Sequence, residues 1–131
     1  MKLLWALGYL WCLPLTAAGL VQALVGGARY AGRAGSVLLF HAGAAGLVRR
    51  FFEKSSVVAY TWGAVITLRR EVDARDQRLL RHELAHVRQC LLLGPFAPAI
   101  YLGCSAWAWS RGGHWYRDNA MEAWARRAEV G

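Results

Sequence analysis

The stretch His82-Glu83-Leu84-Ala85-His86 sets two imidazoles four residues apart with a carboxylate between them, inside a run, residues 76–93, that reads as a helix. Residues four apart lie on one helix face, so the two rings converge while Glu83 stands one step round. Leu79 and Cys90 share that stripe with the motif. Two histidines on an otherwise apolar stripe need a hydrogen-bonding partner or a metal ion to offset their desolvation. A metal held by two imidazoles takes at least one more protein ligand. The rest of the chain must therefore return a third polar group to the same side of this helix.

Composition adds a second constraint. Of 131 residues, 56% are hydrophobic, with seven Trp, yet the formal charge is +8. Apolar bulk flanked by Lys and Arg is the pattern of a membrane-associated chain, because cytoplasmic segments beside a bilayer accumulate positive charge. Nucleic acid is not an expected partner: the basic residues fall in small groups such as Arg49-Arg50, Arg69-Arg70 and Arg126-Arg127, and no nucleic-acid motif accompanies them. Cys12, Cys90 and Cys104 are odd in number and lack C-x-x-C spacing, which argues against a disulfide framework or a zinc knuckle. Nor can Cys90 join His82 on one metal, since eight residues at about 1.5 Å each put them roughly 12 Å apart along the axis.

Residues 3–28 carry no charge, with Thr16 and Gln22 the markedly polar members, and the run is long enough to cross a bilayer with a kink at Pro14. A cleaved signal peptide leading to export is the rival reading, with Met1-Lys2 as its basic start and Thr16-Ala17-Ala18 as a small-residue cleavage site. Residues 20–25 continue the apolar run past that point, which favours an uncleaved anchor. Arg29, Arg33, Arg49, Arg50 and Lys54 follow the span while Lys2 precedes it, so the main domain is expected on the cytoplasmic side. The chain divides on this reading into an anchor, residues 1–28, and a compact metal-binding domain, residues 29–131.

After Gly26-Gly27 the pattern changes to short β-branched and aromatic runs at 36–41, 56–60 and 64–68, with Gly43, Gly46 and Gly63 marking turns or bends. These predict a small antiparallel sheet of three or four strands. Asp73 and Asp76 supply N-cap chemistry for the motif helix and Gly94-Pro95 ends it. Residues 96–109 form a second apolar segment, about fifteen residues, which suits a packed, re-entrant or interfacial helix better than a full span. Asn119 or Asp118 caps a final helix carrying Glu122. The expected fold class is α+β.

A catalytic zinc takes three protein ligands and leaves a fourth position for water. His82 and His86 supply two, and the position six residues after the motif, where some sites place a third His, is Leu92. Candidates for the third are Glu122, Asp118, His114 and His41. Glu122 lies on a helix that can pack across the motif helix, giving a His2Glu set, and His114 is the runner-up. Asp118 can instead hydrogen-bond a ligand imidazole, and His41 reads as a polar group on a sheet face. In such a site zinc (Zn2+) activates the water, and Glu83 takes its proton and passes it to a leaving amine. An edge strand beside the motif helix could hold an extended peptide, with residues 64–68 the nearest candidate. If Glu122 is the ligand, residues 96–109 cannot cross a membrane once, since that would strand Glu122 on the far side.

Three stretches carry a resemblance: H-E-L-A-H-V-R-Q at 82–89, L-G-P-F-A-P-A-I-Y at 93–101 and Y-R-D-N-A-M-E-A-W-A at 116–125. With the apolar N-terminus they look like a group of small bacterial zincin-like membrane proteins, and more distantly the motif plus downstream Glu is similar to the gluzincin metallopeptidases. The close resemblance covers residues 60–125. It implies a zincin-like fold, His82, His86 and Glu122 as metal ligands, Glu83 as general base, and zinc as cofactor. The related segment reads N-P-F-E where this chain has Asn119-Ala120-Met121-Glu122, a departure that keeps the Glu. Taken together, the expectation is a metallopeptidase of the bacterial inner membrane acting on a peptide or protein substrate beside membrane lipid. The alternative is a catalytically silent zincin-like protein serving as a binding or regulatory module, since the small chain leaves little material for a deep cleft.

Overall fold

A computed structural model describes residues 2–130. The chain is α+β, as expected: among the described residues six α-helices accompany a four-stranded sheet. Two helices come first, α1 (Lys2–Trp11) and α2 (Leu13–Val25), bent by 60° at their junction. Pro14 sits in the first turn of α2, where its missing N–H is harmless to α2 but cannot continue α1. Cys12, Leu15, Gly19 and Ala23 form a buried face at helical spacing. The two polar residues of the apolar run dock this face on the sheet. Thr16 Oγ1 accepts from the Ala64 N–H at 3.0 Å, and Gln22 Oε1 accepts from the Tyr60 hydroxyl at 2.7 Å. Cys12 and Leu15 share one core with residues of the sheet and of the motif helix.

The strands are β1 (Arg29–Ala34), β2 (Val37–His41), β3 (Ala59–Trp62) and β4 (Val65–Leu68), in the order β1-β2-β4-β3. The sheet is mixed, which corrects the antiparallel expectation: β2 and β4 run parallel, with Leu38 opposite Val65 and His41 opposite Leu68. Parallel neighbours need a crossover of a dozen or more residues. Here it is made by α3 (Leu47–Lys54) and β3. Helix α3 was not foreseen; it buries Val48 and Phe52, one turn apart, and sets Phe52 and Phe51 against Tyr60 with ring centroids at 5.4 Å. Strand β1 was also missed, because its glycine and arginines weaken the strand pattern and a register shift interrupts it near Gly32.

Strand β4 lies inside the sheet and is buried along its length. A two-residue turn, Gly63-Ala64, joins it to β3. Gly63 has φ +60° and Ala64 does not, the requirement of a type II′ turn, and a side chain at Gly63 would meet the Thr16 backbone.

The motif helix, α4 (Gln77–Leu93), follows a 3-10 turn at Glu71–Arg75. Asp76 caps it, accepting from the Leu79 N–H at 3.1 Å. Leu80, Val87, Cys90 and Leu91 pack with Ile66 and Leu68 of β4. At its other end Gly94 turns with φ +61° against the Trp11 ring, and Gly94–Phe96 forms a 3-10 turn into α5 (Ala97–Ser110). By length and composition the run Gln77–Ser110 is apolar enough to cross a membrane. It does not run straight. Fifteen residues of continuous helix would separate His86 from Tyr101 by about 22 Å, whereas their rings lie 6.3 Å apart. The chain therefore bends sharply between the two helices, bringing the first turns of α5 back to the histidines, and a final helix, α6 (Ala120–Ala128), packs against α4 and touches α5.

Candidate metal centre

Helix α4 presents His82 and His86 on one face, and α6 brings Glu122 opposite them. Asn119 makes this arrangement. Its side-chain oxygen accepts from the Met121 N–H at 2.8 Å and the Glu122 N–H at 3.4 Å, starting α6, while its amide donates to Tyr101 O at 3.1 Å and Ser105 Oγ at 2.8 Å on α5. One fully buried side chain thus caps α6 and ties it to α5.

The two imidazoles are oriented alike. His82 turns Nδ1 to Glu129 Oε1 at 2.8 Å and Nε2 to Glu122 Oε2 at 3.1 Å. His86 turns Nδ1 to Gln89 Oε1 at 2.8 Å and Nε2 to Glu122 Oε1 at 2.9 Å. The two Nε2 atoms are 3.2 Å apart. Ligand atoms on a tetrahedral zinc with bonds near 2.0–2.1 Å stand about 3.3 Å from one another. The donor set and its spacing thus fit a small divalent cation, and three acceptor-rich atoms this close need a positive charge among them.

Protons serve that need when no cation does. Burial opposes charge on His82 and His86, but hydrogen bonds to Glu122 and the nearby carboxylates outweigh it, so both rings titrate above the ordinary 6.5. Glu122 shows the converse. Burial would raise its carboxyl, yet hydrogen bonds from both imidazoles hold it far below the usual carboxylate range. Tyr101 donates to Glu122 Oε1 at 3.1 Å; burial and this carboxylate push its hydroxyl pKa up.

Glu83 is buried beside the cluster, and Thr61 Oγ1 on β3 donates to its Oε2 at 2.6 Å. Burial pushes its carboxyl pKa up, partly offset by His86, the Thr61 hydrogen bond and His82. A carboxylate shifted upward this way is a better proton acceptor near neutrality.

The other candidates stand apart from this cluster. His114 is exposed, its Nδ1 accepting the Tyr116 and Arg117 N–H groups. Asp118 accepts from the His114 N–H at 2.6 Å and reaches neither imidazole. His41 bonds the Ala42 carbonyl at 2.9 Å. The groups that hold the imidazoles are Gln89 and Glu129, whose roles were not read from the sequence. Gln89 sits one turn after His86 and could have been found from that spacing. Glu129 lies 47 residues from His82, and no local pattern points to it. The strand expected to hold a peptide, residues 64–68, is interior and has no free edge. The edge strand beside α4 is β3.

A family model described as the eCIS core domain matches residues 33–91. That segment runs from within β1 through the sheet to the motif histidines and stops short of α5 and α6, so Glu122 and Glu129 lie outside it. Neither the curated proteins nor the solved structures contain a match to this chain.

Proposed function

We propose that this chain is a membrane-associated, zincin-like metallopeptidase in which His82, His86 and Glu122 hold zinc and Glu83 is the general base. The observation that carries the reading is the convergence of two Nε2 atoms and one carboxylate within 3.2 Å of one another beside a buried Glu83. Two imidazoles and a carboxylate form a donor set suited to zinc with one position open. A bound zinc ion supplies Lewis acidity, polarising a scissile carbonyl and making water a nucleophile near neutral pH.

The protein groups divide the remaining work. Glu83 accepts the proton of the attacking water and returns it to the leaving amine, and Thr61 fixes its carboxylate for that transfer. The Thr61 strand is also the seat for substrate. Trp62 and Val65 close the hairpin, so Tyr60 bonds inward to Thr67, while the backbone groups of Ala59 and Thr61 face the open edge. An extended peptide paired there would pass alongside Glu83.

Membrane association rests on how α1 and α2 are turned. Their buried contacts are mostly small or polar, with Gly8 against Leu91, Gly19 against Trp62, and Thr16 and Gln22 on the sheet. Leu15 joins the core, but most of their large apolar residues face outward: Leu3, Leu7, Leu10, Leu13, Val21 and Leu24 are each more than half exposed. Small and polar inside with apolar outside is the packing of helices in lipid. Cytoplasmic placement of the main domain follows from the basic residues after α2.

A second reading is favoured by the burial of the site. His82, Glu83 and Glu122 are 8%, 4% and 3% exposed. Surface cavities of about 340 and 240 Å³ are lined by other residues. A closed site suits a metal-stabilised binding or regulatory module that hydrolyses nothing. Zinc analysis of the purified protein beside His86→Ala tests the metal centre, and equal zinc in both sinks it. Glu83→Gln then separates the two readings: a peptidase loses hydrolysis of an unstructured protein substrate while keeping zinc.

A further inference from the structure

Both imidazoles are held from behind by side chains outside the five-residue H-E-x-x-H core, and one of these is oriented by the helix that carries the third ligand. Gln89 is fully buried. Its Nε2 lies 2.9 Å from the Met121 carbonyl and its Oε1 lies 2.8 Å from His86 Nδ1. A carbonyl can only accept, so the Gln89 NH2 must face Met121 and its oxygen must face His86. An amide oxygen also only accepts, so His86 keeps a proton on Nδ1, and Nε2, which donates to Glu122 in the metal-free protein, is the nitrogen left to take a metal in place of its proton. Glu129 does the same for His82, its Oε1 accepting from Nδ1 while Oε2 is held by Arg78 Nε at 2.8 Å. Arg81 Nε, which donates to the Glu129 carbonyl at 3.0 Å, fixes this end of α6 on α4.

We infer that Gln89 and Glu129 are positioning residues that set the tautomers of His86 and His82 for metal binding, and that docking of α6 sets both. The inference rests on the metal reading above. Helix α6 delivers Glu122 as a ligand, the Met121 carbonyl that fixes Gln89, and the Glu129 carboxylate. The two-helix unit therefore presents three metal-ready atoms in one docking event. Loss of a hydrogen bond behind a ligand imidazole costs about 10–100-fold in metal affinity.

The test is zinc affinity of the full chain, by competition with a chromophoric chelator, for wild type, Gln89→Leu, Glu129→Ala and Glu129→Gln. Gln89→Leu and Glu129→Ala should each bind zinc about 10–100-fold more weakly. Glu129→Gln, which keeps an accepting oxygen, should recover most of the loss. Proton–nitrogen correlation spectra of the zinc-loaded rings supply a readout that a merely structural role would not move. The slowly exchanging Nδ1–H of His86 should vanish in Gln89→Leu and that of His82 in Glu129→Ala. Glu129 lies at the end of α6, so its variants report even where Gln89→Leu fails to fold. Wild-type affinity and ring signals in the folded variants overturn this inference alone. A wild-type chain that takes up no zinc overturns the metal reading and this inference with it.

Discussion

The Tyr101 ring lies 6.3 Å from that of His86, although fifteen residues and the Gly94–Phe96 turn separate them in the chain. That proximity requires a sharp bend between α4 and α5, which returns the first turns of α5 to the histidines, and Asn119 then starts α6 with Glu122 on the histidine side. A single crossing by residues 97–110 would have carried Glu122 some 20 Å away, at about 1.5 Å per helical residue. The return of the third polar group is therefore built on Gly94, whose positive φ allows the turn, and on Asn119.

Loss of a ligand should exceed loss of a supporting hydrogen bond. Glu122→Ala and His82→Ala are expected to weaken zinc binding by more than about 100-fold, while His114→Ala leaves it unchanged because its ring is exposed and bonded to its own loop. Equilibrium zinc titration of the three variants checks this. A zinc-depleted His114→Ala would move the third ligand.

The metal-free protein should be most stable in mildly acid solution. His82 and His86 titrate above 6.5 when folded, so their contribution is fully present below pH 6.5 and is lost as pH rises through the higher folded values. Glu122 titrates below 4.5 when folded, so its contribution is present above pH 4.5 and is lost as pH falls through the lower folded value. These are one imidazolium–carboxylate interaction seen from its two sides. Urea unfolding of chelator-treated protein should show maximal stability between about pH 4.5 and 6.5. Zinc should shift that maximum upward, because zinc displaces the ring protons.

Asn119→Ala should be costly out of proportion to its size. It removes an N-cap and leaves the Tyr101 carbonyl and Ser105 hydroxyl without their buried donor, for a loss of about 2–3 kcal/mol. Zinc affinity should fall with it, because Glu122 sits in the first turn that Asn119 caps. Thermal unfolding with parallel zinc titration measures both, and stability lost with affinity intact would uncouple the cap from the site.

The outward leucines of α1 should govern retention on lipid. Leu7→Asp with Leu10→Asp leaves the packed face of α1 untouched, since both side chains point away from the protein. Partitioning onto anionic vesicles should drop on the order of tenfold per leucine, from the transfer free energy of a half-buried aliphatic side chain. Unchanged flotation after a high-salt wash would remove α1 from the lipid contact.

Much of the architecture near the motif was legible because its causes are local. Asp76 as N-cap, Gly94 as terminator and the His82/His86 stripe all act within one or two turns of α4. Helix α6 and its Glu122 were readable from Asn119 and the apolar spacing that follows. Strand β1, helix α3 and the parallel pairing of β2 with β4 were not, since pairing partners are chosen by a crossover that no short window contains.

The sequence by itself determined which residues could bind a metal and which run had to be hidden from water or placed in lipid, because residue chemistry and helical period are properties of short stretches. The tertiary structure alone decided that Thr16 and Gln22 face the sheet, that β3 and not β4 is the open edge, and that Glu129 stands behind His82. Those facts depend on side chains 22 to 48 residues apart meeting across packed elements, where burial removes water as a competing partner and makes each hydrogen bond specific.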